Sequence, residues 1–241
     1  AAATDGLGAN PAEALVRAGR VSVDGRTCSD PERRTPMSAT GIAIDGVPLA
    51  PPAPVYLALN KPRGLVTSRS DERGRDTVYA CLADADLPWL APVGRLDRAS
   101  EGLLLLSNDS AWAARVSAPG SGIHKTYHVQ VDRPPDPELI DRLRAGVEDA
   151  GERLAAVSVA PLRSGGRTGW LEIVLDQGRN RQIRRMVAAC GARVLRLVRV
   201  AIGPFGLGDL AKGCWRPLAT AELDGLAAAV AAASAGRPLA L

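Results

Sequence analysis

Apolar and polar positions follow two regimes along this chain, and the change between them falls near residue 53. Residues 10 to 50 carry short signals: a helix opened by Asn10 and Pro11 running through AEALVRAG, the strand VSVDG, and a further strand near IAIDG. Asp24-Gly25 and Asp45-Gly46 tolerate positive φ and so suit tight hairpins. APPAP at 50 to 54 reads as a semi-rigid linker.

Beyond the linker, VYLALNKPRGLVTS alternates until Pro62 and Gly64 interrupt it. LLLL at 103 to 106 predicts a short buried strand, with turn signals at Gly102 on one side and Ser107-Asn108-Asp109 on the other. YHVQV at 127 to 131 and WLEIVL at 170 to 175 predict strands. PDPELIDRLRAG at 135 to 146 predicts a capped helix, and RQIRRMVAACG at 181 to 191 another that ends at Gly191. Strands separated by helices without strict alternation predict an α+β fold: a mixed, largely antiparallel central sheet with flanking helices. The expected domains are 1–53, 54–222 and a helical, alanine-rich tail at 223–241. No internal repeat and no phosphate-binding glycine loop interrupts this pattern.

Composition adds a bias toward arginine. Of 30 basic residues only Lys61, Lys125 and Lys212 are lysines, which leaves 27 arginines against a net charge of +4. Abundant alanine, glycine and proline point to genomic composition as an equal cause of that count, so position is the better guide. No acid occurs between Gln177 and Gly208, where Arg179, Arg181, Arg184, Arg185, Arg193, Arg196 and Arg199 all fall. Such a stripe predicts a nucleic-acid partner and salt-dependent binding.

The remaining composition is informative mainly by exclusion. Cys28, Cys81, Cys190 and Cys214 show no CxxC spacing and are expected to be reduced, cytosolic and mostly buried. His124 and His128 lie in a strand-like pattern with no completing ligand, so no metal is expected. No apolar run is long enough for a membrane span, AAATDGLG is not a signal peptide, and a cytoplasmic location is expected.

The chemistry centres on GRLDRASEGLLLLSND, where Asp97 stands between Arg95 and Arg98. An Asp among arginines is more often a salt-bridged turn residue than a nucleophile. Three further segments shift that balance: NKPRG at 60 to 64, KTYHV at 125 to 129 and QGRNRQIRRM at 177 to 186. Together and in this order, the four resemble the pseudouridine synthases of the RsuA branch over roughly residues 55 to 220. GRLDRASEGLL, HKTYHVQV, GRNRQIRRM and LGDLAKGCWRPL look most like the enzymes that modify large-subunit ribosomal RNA, with small-subunit RNA as the alternative.

The resemblance implies the pseudouridine synthase catalytic fold and a uridine flipped out of its RNA context. Asp97 would be the nucleophile toward the ribose anomeric carbon or the uracil ring, with Arg184 pairing it to keep it ionised. Tyr127 would lie against the target base and Ile183 would form the pocket wall. Lys61 and Arg63 would contact phosphate or support the pocket, while Arg95, Arg179, Arg181 and Arg185 would contact RNA. Because the product is an isomer of the substrate, no cofactor and no metal are expected. The expected partner is ribosomal RNA or a ribosomal assembly intermediate, bound by a monomer.

Residues 10 to 50 resemble the small RNA-binding module shared with the ribosomal protein S-four, through RAGRVSVDGR at 17 to 26 and IAIDGVPL. AAATDGLG stands where such modules carry a further basic helix, so this one is expected to be truncated. Two other functions compete with this one. A non-catalytic RNA-binding or ribosome-assembly factor has no need of a pocket carboxylate beside phosphates. A hydrolase with paired acids would have only Glu101 near Asp97.

Overall fold

Alternating burial and tight turns build two units, residues 1–53 and 54–241. The computed structural model describes residues 11–35, 41–49, 52–68, 71, 73–118 and 120–235. Asn10, the AAATDGLG segment and the Ala50-Pro51 part of the linker lie outside the described residues.

The first unit has one helix, α1 (Pro11–Arg17), and four short antiparallel strands: β1 (Val21–Val23), β2 (Arg26–Cys28), β3 (Ile42–Ile44) and β4 (Val47–Pro48). Their order in the sheet is β2-β1-β3-β4. Both Asp-Gly dipeptides turn hairpins, with φ of 50° and 77° at Asp24 and Gly25 and of 50° and 78° at Asp45 and Gly46. Arg20 ties the second turn down through the Asp45 carboxylate.

The second unit is built on one nine-stranded sheet. In chain order its elements are β5 (Tyr56–Lys61), β6 (Ala91–Val93), β7 (Glu101–Ser107), α2 (Ser110–Ser117), β8 (Lys125–Val131) and α3 (Pro137–Ala145). There follow β9 (Val147–Asp149), β10 (Glu152–Leu154), β11 (Ser158–Ser164), β12 (Gly169–Leu175) and α4 (Gln182–Ala189). The chain continues through β13 (Val194–Ile202), β14 (Phe205–Gly206), β15 (Trp215–Pro217) and α5 (Thr220–Ala235). The path β11-β12-β8-β13-β7-β5-β15 is antiparallel throughout except where β13 runs parallel to β7. This is the expected α+β class with a mixed sheet. The hairpin β9–β10 stands apart as a two-stranded sheet.

β7 is buried on both faces. Leu104 and Leu106 enter a core with Tyr127, Val129, Leu171, Ile173 and α4, whereas Leu103 and Leu105 enter a second core beneath α2 and α5. An uninterrupted LLLL run is what such a central strand requires. The alanine-rich tail is helical as α5, and Leu226 anchors it in that second core. None of the helices among the described residues is long and apolar enough to cross a membrane.

Three local expectations are corrected. Gly102 is not a turn residue; it lies inside β7 at φ 100°, where an added Cβ would come within 2.2 Å of the Arg199 carbonyl oxygen. Only glycine permits β13 to approach that closely. The helix expected from residue 181 begins at Gln182, with Arg181 before it in the left-handed region at φ 50°. The cysteines are all free thiols, but only Cys28 and Cys190 are buried, and Cys214 is exposed.

Candidate active site

The Asp97 loop joins β6 to β7, and its geometry is set by cations and a hydroxyl that grip its backbone. Thr67 Oγ1 donates to the Leu96 carbonyl at 2.7 Å, and Arg184 Nη2 donates to the Ala99 carbonyl at 3.0 Å. Lys61 Nζ donates to the Ser100 carbonyl at 3.0 Å. Arg199 spans the loop, from the Arg95 carbonyl at 3.4 Å to the Leu103 carbonyl at 2.7 Å. Arg98 and Gly64 close the reciprocal pair Arg98 Nε to Gly64 O (3.0 Å) and Gly64 N to Arg98 O (2.8 Å). The NKPRG and GRLD segments are therefore one structure, and side chains held this way fix a reactive group within a narrow range.

Asp97 projects from this loop into a cleft of about 270 Å³. Arg95, Tyr127, Arg179, Arg181 and Ile183 line the same cleft, so six sequence-predicted residues, Asp97 included, meet there. Tyr127 comes from β8, only 8 % exposed, and Ile183 from the first turn of α4. Asp97 is the only acid lining the cleft, and its carboxylate has no ion pair or hydrogen bond among the described residues. Glu101, the next acid of the motif, is locked away from it: Arg196 at 3.1 Å and Lys212 at 2.5 Å hold it. Burial pushes the Glu101 pKa up, but these bonds outweigh burial and keep it below the usual carboxylate value.

Several expected roles change. Arg184 does not form an ion pair with Asp97; its guanidinium is spent on the Ala99 and Val194 carbonyls, and its Nε is buried without a partner. Burial lowers the Arg184 pKa, as do Arg181 and Arg63, while the charge of Asp97 raises it. The two groups thus interact through space, without contact. Lys61 is 0 % exposed and cannot reach phosphate; it supports the loop from beneath. Its burial pulls its pKa down to about 8.

Arg179 and Arg185 are not free RNA contacts either. Arg179 pairs with Glu152 at 2.9 Å, and Arg185 pairs with Asp149 at 2.5 Å and Glu152 at 2.7 Å. Farther along, Asp132 takes Arg193 and Glu101 takes Arg196. The acid-free stretch meets its counter-charges from other elements, which its own sequence could not reveal. Arg63, Arg95 and Arg181 remain exposed, and their side chains make no ion pair or hydrogen bond among the described residues.

Three contributors escaped sequence reasoning. Arg199 is only 4 % exposed and carries an unpartnered Nη2, in a strand that its arginines had disguised. Thr67 offered no signal. Gln182 is buried at the start of α4, where its Nε2 donates to the Ala155 carbonyl at 2.8 Å and its Oε1 accepts from Arg179 N at 3.2 Å. A polar residue between two arginines and an apolar run could have marked that helix start.

Comparison with known proteins identifies the family of the chain. Residues 55–189 match the family described as RNA pseudouridylate synthase. The chain is 33% identical over 223 residues to ribosomal large subunit pseudouridine synthase B of Bacillus subtilis, covering 90% of this chain and 89% of that protein. It is 39% identical over 176 residues to ribosomal large subunit pseudouridine synthase E of Vibrio parahaemolyticus, covering 67% and 73% respectively. A crystal structure of a pseudouridylate synthase superposes with a TM-score of 0.65 at 28% identity, covering 90% of this chain and 92% of that one. A cleft with one carboxylate on a cation-clamped loop, and these likenesses over most of its length, lead to one conclusion: the chain belongs to the RNA pseudouridine synthase family.

Proposed function

We propose that this RNA pseudouridine synthase isomerises uridine in ribosomal RNA, with the large subunit favoured, and that Asp97 is its nucleophile. The observation that carries the reading is the unpaired Asp97 carboxylate, alone among acids in a cleft floored by Tyr127 and Ile183. A flipped uracil would stack on the Tyr127 ring, and Ile183 would pack beside it. The carboxylate adds to the ribose anomeric carbon or to the uracil ring, and the glycosidic carbon–nitrogen bond breaks. The base turns and its C5 bonds to the anomeric carbon, the bond to Asp97 breaks and returns its electron pair to the carboxylate, and the C5 proton is lost as one is gained at N1, so atoms and electrons balance.

Arg184 serves this reaction by its charge and by its grip on Ala99, and Lys61 and Arg199 serve it by holding the loop. Exposed Arg63, Arg95 and Arg181 would contact phosphates at the cleft mouth. The preference for large-subunit RNA rests on the two named relatives that act on it. In this reading the first unit is an S-four-like module that adds RNA contacts.

The test incubates the full chain with unmodified ribosomal RNA and maps pseudouridine by carbodiimide labelling and primer extension. Asp97→Asn is expected to bind RNA but lose at least about 10³-fold in rate, as loss of a covalent nucleophile does. Equal activity in the variant would sink the assignment of Asp97. Pseudouridine in some other RNA, and none in ribosomal RNA, would sink the substrate alone.

A further inference from the structure

The sheet has a second chemically distinctive face, turned away from the Asp97 cleft. Along β8 and β12 burial alternates, so Tyr127, Val129, Leu171 and Ile173 enter the core while His128, Gln130, Trp170 and Glu172 face outward. The core beneath α2 and α5 draws residues from β5 and β7 and the far end of β13, but none from β8, β11 or β12. Strand register then sets Arg163, Trp170, Gln130 and Arg196 in one row across four strands.

Trp170 is the centre of that row. Arg163 lies 4.9 Å and Arg196 5.6 Å from its ring centroid, which layers two planar cations on one indole. A groove of about 400 Å³ runs here, lined by His128, Leu162, Arg163, Trp170, Arg196 and Val198. Its charge is positive on balance. Arg163 has no carboxylate partner among the described residues, nor does exposed Arg167 in the adjoining turn. Arg196 and Lys212 share the single carboxylate of Glu101, and Glu172 faces His128 at 3.6 Å.

We propose that this face binds an unpaired stretch of RNA, a second RNA contact separate from the catalytic cleft. The inference rests on the RNA-modifying reading above and extends it. An open sheet cannot enter the deep groove of an RNA duplex, but it offers a platform to splayed bases, which stack on aromatic rings and guanidinium planes. Arg163 and Arg167 would take the flanking phosphates. A protein partner fits less well, because the centre of a protein interface is depleted of charge, whereas Leu162, Trp170 and Val198 here lie among His128, Arg163 and Arg196. A stabilising role for the layered arginines explains their stacking on Trp170 but not the uncompensated charge of Arg163 and Arg167.

The experiment measures binding of the full chain carrying Asp97→Asn to an unstructured RNA of about 12 nucleotides, a length within the usual single-strand site size, and to a duplex of equal length. Trp170→Leu is expected to weaken single-strand binding about tenfold, the effect of losing one stacked base. Arg163→Gln is expected to weaken it about fivefold and to reduce the slope of log affinity against log salt by about 0.7. Ultraviolet crosslinking should place RNA on the peptide holding Arg163 and Trp170. Circular dichroism and thermal unfolding check that both variants fold; should Trp170→Leu fail, Arg163→Gln, an exposed change, decides alone. Unchanged affinity in the folded variants, duplex bound as tightly as single strand, or crosslinks confined to the cleft would each overturn the proposal. Protection of this peptide by a purified protein partner in place of RNA would do the same. No RNA binding by the parent chain would sink the reading on which it rests.

Discussion

Arginines from one acid-free stretch hold both the Asp97 loop and the β9–β10 hairpin, yet they meet carbonyl oxygens alone at the first and carboxylates as well as carbonyls at the second. At the hairpin, Asp149 and Glu152 neutralise Arg179 and Arg185. At the loop, Arg184, Arg199 and Lys61 bind the carbonyls of residues 95, 99, 100 and 103, and their charge is left uncompensated. Carbonyl bonding fixes geometry without cancelling charge, so Arg184 and Lys61 still interact with the charge of Asp97, whereas the hairpin arginines are paired with carboxylates. On the proposed reading, the difference separates arginines that serve the chemistry from those that serve the fold.

Between these two regions, the largest expected effect comes from breaking the loop clamp. Arg199→Met removes donors from the Arg95 and Leu103 carbonyls, each left unsatisfied at a cost of about 1–3 kcal/mol. A shift of the loop near 1 Å is expected to lower kcat about 10²-fold while KM for RNA stays within about twofold. Arg199→Lys, which keeps a cation, should recover part of kcat. A KM that rises as kcat holds would show that Arg199 contributes to binding and not to placement.

Lys61 tests the same clamp through pH. Its folded pKa is about 8 against an ordinary 10.5, so between those values the unfolded chain binds more protons than the folded one. Stability is therefore expected to rise from pH 8 to 10.5, and by the displacement discounted for solvent screening the gain is about 1–3 kcal/mol. Lys61→Met should abolish that gain, read as the difference between two urea-unfolding series. Parallel pH profiles for the two proteins would show that Lys61 is not a buried charge.

How much of this division was legible in the sequence depends on range. LLLL, the alternation in β8 and β12, the Asp136 cap of α3 and the two Asp-Gly turns are local signals, and each formed as its residues dictate. Asp97, Tyr127 and Ile183 could be brought together only through resemblance, because nothing local links residues 97, 127 and 183. β13 stayed hidden because Arg196 and Arg199 interrupt its apolar pattern; one is drawn outward to Glu101 and the other is buried on carbonyls. The pairing of Arg179 and Arg185 depends on acids about 30 residues upstream, and that separation is invisible to a charge window. The reason for Gly102 was likewise tertiary, in the approach of β13.

Exposed and neutralised arginines are also expected to part company in RNA binding. Arg181 is exposed and unpaired, so Arg181→Asn, which suits the left-handed backbone there, should weaken RNA affinity about fivefold and reduce the salt slope by about 0.7–0.9. Arg185→Gln should leave that slope unchanged, because its charge is already cancelled by Asp149 and Glu152. Equal losses of slope in the two would erase the distinction.

The smallest effect runs in the opposite direction. Glu152 is shared by Arg179 and Arg185, whose bonds hold its pKa low, Arg185 foremost. Glu152→Gln keeps the side-chain shape but removes the charge, and Arg185 retains Asp149 while Arg179 loses the only carboxylate it pairs with among the described residues. Arg179 lines the Asp97 cleft, so its released charge becomes available to an RNA phosphate. RNA affinity is then expected to rise about twofold at moderate salt, with the slope of log affinity against log salt steeper by up to about 0.9. Fluorescence anisotropy across a salt series reads both quantities. Tighter binding from the loss of a carboxylate far from any base would mean that the hairpin restrains the positive field of the cleft, whereas weaker binding would mean that Arg179 must be held by Glu152 to be of use.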